Sequence, residues 1–201
     1  HRKDRASAVG SVAASPPTRI VAVIDIGATA VRMETAEVRA DGSARTLDAL
    51  SLPVRLGKDT FTLGRLRPET IEECVRALRR FREVLREYGI EGLDSVRAVA
   101  TSAVREAENQ EQFLNRIYLA TGIRVECLED VELNRIAYMA VRDALERAKF
   151  AHPWHHLAIE VGGGSTELIL IQDDRVTFSE TYRLGSLRLR ERLEPHRSAP
   201  E

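Results

Sequence analysis

The stretch EVGGGSTEL, residues 160–168, constrains this chain more than any other part of it. It lies between the apolar runs LAIEV and ELILI, so it must be a tight turn joining two strands. Successive residues without a Cβ let backbone N–H groups converge on one concavity, and such a nest takes anionic oxygens, phosphate being the usual occupant. A carboxylate placed just before the turn would repel phosphate, so Glu160 is expected to reach it through Mg²⁺ or the water around that ion. Ser165 and Thr166 add hydroxyl donors.

A Gly-rich hairpin alone is often only a hairpin. Here the layout occurs twice. VIDIGATAVRM (23–33) and AIEVGGGSTELIL (158–170) share an apolar strand, a carboxylate, one residue, a glycine turn and a second strand. Duplication is therefore suspected. Asp25 takes the place of Glu160, and the two turns are expected to clamp a phosphate chain from opposite sides of a cleft.

The remaining pattern fits two αβ units. Residues 1–18 are small, polar and proline-ended, and read as a disordered tail. A first domain is expected over 19–150: a buried strand RIVAVIDIG, strands at 30–39 and within 44–56, a helix from Pro68 to before Gly89, a strand at 95–101, helical segments to about 120, a strand at 124–128 and a helix over 130–148. Ile71, Val75, Leu78, Phe81, Leu85 and Tyr88 form the buried stripe of the long helix, while its arginines alternate with glutamates as a solvated face. The segment FAHPWHHL reads as a hinge; His152, His155 and His156 lack a partner at metal-ligand spacing. A second domain is expected over 151–201, with three strands and an Asp173–Asp174 turn, and it stops early. The first residue is His rather than Met, which reads as a piece of a longer product.

Composition narrows the partners. The formal net charge of −1 gives no support for nucleic acid or a membrane surface, and no run is apolar and long enough to span a bilayer. Cys74 and Cys127 fall inside apolar patterns, which suits two buried thiols in a reducing cytoplasm.

Together with ATSAVREAEN (100–109), the two turns resemble the exopolyphosphatase and guanosine pentaphosphate phosphohydrolase family, Ppx/GppA, of the actin, sugar kinase and heat-shock-70 superfamily. The resemblance runs over about 19–193 and includes RLGKDTFTLGRLRPETIEECVRALRRF, VECLEDVELNRIAYMAV and YRLGSLRLRERL. It implies an α/β fold of the ribonuclease-H-like, actin-like ATPase type, with a mixed sheet flanked by helices and a partial second domain of the same kind. It further implies cytoplasmic hydrolysis of the terminal phosphoanhydride of polyphosphate or guanosine pentaphosphate with Mg²⁺, and leaves a homodimer open. Carried onto this chain, phosphate binding falls to Gly27, Thr29, Arg32, Arg105, Gly162, Gly163, Gly164, Ser165 and Thr166, and metal binding to Asp25, Glu160 and Glu167. Positioning, charge neutralisation and an oriented water are what such a reaction needs.

The chain departs from the family pattern in three places. The first turn reads DIGATA where hydroxyls and an amide are usual, and Glu160 stands where Asp is typical. Leu133 occupies the position of the glutamate that activates water, with Glu132 one residue early and so about 100° away around the helix. Three readings stay open: a hydrolase using Glu132 or Glu129 as base, a phosphate sensor that has lost turnover, and a docking domain without ligand.

Overall fold

The computed structural model describes residues 18–148, 155–173 and 175–197. The expected tail, apart from Thr18, lies outside the described residues, as do His152, Pro153 and Asp174 of the expected hinge and turn. Strands β1 (Thr18–Ile26), β2 (Ala30–Arg39) and β3 (Ala44–Pro53) form an antiparallel meander. Helices α1 (Leu56–Leu63) and α2 (Pro68–Glu87) follow. Next come β4 (Val96–Ala100), the single turn α3 (Ser102–Arg105), α4 (Gln110–Thr121) and β5 (Val125–Cys127), with β4 parallel to both β1 and β5. The sheet order β3-β2-β1-β4-β5 is that of a ribonuclease-H-like, actin-like ATPase fold.

After α5 (Asp130–Ala148) the opening repeats. Strands β6 (His155–Val161), β7 (Thr166–Gln172) and β8 (Arg175–Tyr182) make a second antiparallel meander, followed by α6 (Ser186–Arg197). Equivalent registers support the suspected duplication: Asp25 faces Arg32 across β1 and β2, and Glu160 faces Glu167 across β6 and β7.

Period-two and helical patterns together build the core. Ala22, Ile24 and Ile26 point to one side of β1, where α2 presents Ile71, Val75, Leu78, Phe81 and Leu85, all buried. Phe113 and Ile117 of α4 close the same core. Each of these Ile, Val, Leu and Phe side chains contributes about 1.5–3 kcal/mol of transfer free energy. Tyr88 caps α2 half-buried, and Cys74 is buried against the sheet, which pushes its thiol up to about 12. Helix α1 was not expected from the sequence: TFTLG has little helical character, and tertiary contacts decide it. The Thr60 hydroxyl donates to Ala103 O at 2.6 Å, and Gly64, left-handed at φ 72°, ends it. Among the described residues no helix is long and apolar enough to cross a membrane.

Candidate active site

Both glycine turns end strands whose other face carries the carboxylates. Asp25 lies on the side of β1 opposite the core, where the Arg32 guanidinium reaches it at 3.3 Å. Burial raises the Asp25 pKa above the usual carboxylate range, and Arg32 opposes that shift. The first turn is pinned by its own surroundings. Gly27 N–H donates to Ala30 O at 3.0 Å, Gly57 N–H to Ala28 O at 2.8 Å and Val54 N–H to Thr29 O at 3.2 Å.

In the second turn, Gly162 N–H donates to Ser165 O at 2.9 Å, and the Ser165 hydroxyl donates to Glu167 at 2.6 Å. The Thr166 hydroxyl is turned to Leu184 O. Glu167 is 7% exposed. Burial, aided by the neighbouring Glu160 and Asp130 charges, pushes its carboxyl up, while Ser165 holds it back.

The turns meet. A methyl added to Gly163 would stand 3.1 Å from the Ala28 Cβ and 3.6 Å from Thr29. One at Gly164 would strike the Ser102 hydroxyl and the Phe61 ring, so glycine at 164 allows the close approach, while at 163 the contact is tight. Between the turns opens a cleft of about 580 Å³. Its first wall holds Asp25, Ala28, Arg32, Thr101 and Ser102; the second holds Glu160, Gly162, Gly163, Gly164, Ser165 and Glu167. A third wall, from α5, offers Leu133, Ile136, Ala137 and Ala140. A separate groove of about 560 Å³ lies on the outer face of β1–β3 and shares Asp25 and Arg32 with the cleft. Its walls are mainly apolar, so the cleft holds the convergent polar groups that a phosphate site needs.

Not every expected residue lines this cleft. Gly27 and Thr29 belong to the first turn without lining the cleft, and the Thr166 hydroxyl donates to Leu184 O. Arg105 donates to Leu128 O and pairs with Asp130, fixing the junction of β5 and α5. Glu129 accepts the Leu133 N–H through its backbone carbonyl at 3.0 Å, and its side chain is absent from the lining. Glu132 does not line the cleft; Arg135 donates to it at 2.7 and 2.8 Å, and that guanidinium, with the Arg97 charge adding to it, holds its carboxyl below the usual range. Leu133 faces the cleft in its place.

Sequence reasoning missed Ser102 and Arg188. Ser102 sits inside ATSAVREAEN, where one serine beside a threonine carries no local signal of its own. Arg188, 5% exposed, bonds Gly164 O and Glu106; nothing in an arginine-rich helix marks it out from its neighbours. Asn109 of the same stretch exchanges two 2.9 Å bonds with the Leu66 backbone, so that motif is largely a fastener.

The cleft's carboxylates, Asp25, Glu160 and Glu167, stand against Arg32 and Arg97. Among the described residues no group of three His, Cys, Asp or Glu could hold a metal by itself. A Mg²⁺ ion that takes one or two carboxylates and completes its shell with phosphate and water needs no such group.

The profile of the Ppx/GppA phosphatase family matches residues 37–199. The chain belongs to that family. It is 28% identical over 177 residues to the bifunctional 3-dehydroquinate synthase/phosphatase of Fusobacterium nucleatum, covering 86% of this chain and 26% of that one. It is 26% identical over 167 residues to exopolyphosphatase 1 of Mycobacterium tuberculosis, covering 83% and 46%. The crystal structure of the Aquifex aeolicus Ppx/GppA family member superposes with a TM-score of 0.70 at 31% identity, over 87% of this chain and 54% of that one. The chain thus spans less than half the length of these curated relatives.

Proposed function

We propose that the cleft binds the terminal phosphates of inorganic polyphosphate or guanosine pentaphosphate with Mg²⁺, and that release of the terminal phosphate, the reaction implied by the family, is impaired in this chain. The observation that carries the binding reading is the approach of the two turns, with Gly163 packed against Ala28 and three carboxylates facing the same space. Backbone N–H groups would take the phosphate oxygens, Arg32 would neutralise charge, and one or two of Asp25, Glu160 and Glu167 would hold the ion, with phosphate and water completing its shell. The name of the mycobacterial relative favours polyphosphate as the first chain to try.

The impaired reading rests on α5. Its cleft face is Leu133, Ile136, Ala137 and Ala140, so no α5 carboxylate lines the cleft to orient or deprotonate water. Glu132 does not line the cleft, and both of its carboxylate oxygens accept from Arg135. Phosphate release from long-chain polyphosphate and from guanosine pentaphosphate, with Mg²⁺, tests this beside Leu133→Glu and Glu132→Gln. Slow release by the wild type, faster in Leu133→Glu and unchanged in Glu132→Gln, is expected. Fast release by the wild type that vanishes in Glu132→Gln would establish a working hydrolase with a relocated base.

A further inference from the structure

The three carbonyls of Gly162, Gly163 and Gly164 are all tied to the start of α6. Ser186 N–H donates to Gly162 O at 2.9 Å, and the N–H groups of Leu187 and Arg188 donate to Gly163 O at 3.0 Å each. Arg188 Nε donates to Gly164 O at 2.7 Å. In a planar trans peptide the carbonyl of one residue and the N–H of the next point in opposite directions. Fixing these carbonyls toward α6 therefore aims the N–H groups of Gly163, Gly164 and Ser165 the other way, toward the cleft. None of those three donates to a backbone carbonyl among the described residues.

The third of these ties is a side chain, and it also reaches the first half of the fold. The Arg188 guanidinium lies 4.0 Å from the centroid of the Phe61 ring on α1 and donates to Glu106 at 2.7 Å, just beyond α3. Both members of that ion pair are largely buried, with side chains 6% and 16% exposed. A buried pair is weak evidence for stability, since well-packed apolar replacements often do as well. Its geometry is the more specific feature: one planar fork bonds a carbonyl of the second turn and a carboxylate of the first half while stacking on a ring.

We propose that Arg188 is a positioning residue for the phosphate site. Through Gly164 O it holds the N–H groups of the second turn toward the cleft, and through Glu106 and Phe61 it sets that turn against the first. It does not line the cleft itself. The role rests on the phosphate-binding reading above, although the orientation of the turn can be measured without ligand.

The test is calorimetric titration of magnesium tripolyphosphate into wild type, Arg188→Lys, Arg188→Met and the double variant Arg188→Met with Glu106→Gln, with melting temperatures for each. Lysine keeps a charge opposite Glu106 but has no fork to serve Gly164 O as well. Arg188→Met strands Glu106 and lowers the melting temperature, and the double variant recovers it. Affinity is expected to fall roughly tenfold or more in Arg188→Lys and to stay low in the recovered double variant. Wild-type affinity in that double variant would overturn the proposal, because the arginine would then act through stability alone. Amide ¹⁵N order parameters supply the ligand-free arm: Gly163 and Gly164 lose order in the double variant while β7 does not. Unchanged order at both glycines would overturn the role even if the wild type bound no tripolyphosphate, an outcome that instead sinks the phosphate-binding reading.

Discussion

The two glycine turns reach the same cleft on different support. The first is built into a continuous core: Ala28 and Ala30 are 8% exposed, and its carbonyls are met by Val54 and Gly57 from the same half. The second follows a strand whose apolar side chains Leu157, Ile159 and Val161 are 59%, 58% and 63% exposed, and its carbonyls are met by α6. A repeated motif can thus keep its backbone geometry while its stability comes from elsewhere. The first turn depends on its own core. The second depends on α6 and on its contacts with the first half.

That contrast fixes the order of expected effects. Phe81→Ala empties a fully buried site and should cost about 3–5 kcal/mol in denaturant unfolding, whereas Leu157→Ala on the open face of β6 should cost about 0.5 kcal/mol or less. Equal losses would erase the distinction between the halves.

A methyl at Gly185 would collide with the backbone of Gly163 and Gly164. Gly185→Ala should therefore displace the second turn and weaken tripolyphosphate binding roughly tenfold or more, with the β1–β5 core amides unchanged in hydrogen exchange. Binding at full strength would show that the turn does not need its α6 backing.

Glu167 sharpens the comparison through pH. Its carboxyl titrates above its unfolded value because of burial and the Glu160 charge, so the folded form is favoured while the group is protonated. That contribution is present below the usual glutamate pKa and is lost as pH rises through the elevated folded value. Glu167→Gln should raise the melting temperature at neutral pH without Mg²⁺ and gain less in acid. A gain that is the same at both pH values would remove the titration as its cause.

The smallest effect belongs to Glu132. Its carboxylate does not line the cleft and is paired with Arg135, so Glu132→Gln should leave tripolyphosphate affinity unchanged in the same titration.

Much of this was legible in the sequence because short-range rules carried it. The apolar run ending in Asp25, the stripe of α2 and the repeated strand–carboxylate–glycine layout each follow from period and turn chemistry. The cleft wall was also partly readable, since Leu133 with Ala137 and Ala140 forms one helical stripe. Long-range contacts were not. Helix α1 forms on contacts such as Thr60 to Ala103, and Arg105 reaches Leu128 and Asp130, 23 and 25 residues away. Arg188 lies 24 residues from the glycine it holds and 82 from Glu106, separations no local pattern reports.

The central claim is that the two turns form one Mg²⁺-dependent phosphate site, and titration of tripolyphosphate into wild type and Gly163→Val, with and without Mg²⁺, tests it most directly. Valine at 163 would press on Ala28 and part the turns. The account expects binding by the wild type that needs Mg²⁺ and is lost in the variant while the fold survives by circular dichroism. Equal affinity in the two proteins, or binding indifferent to Mg²⁺, would contradict it.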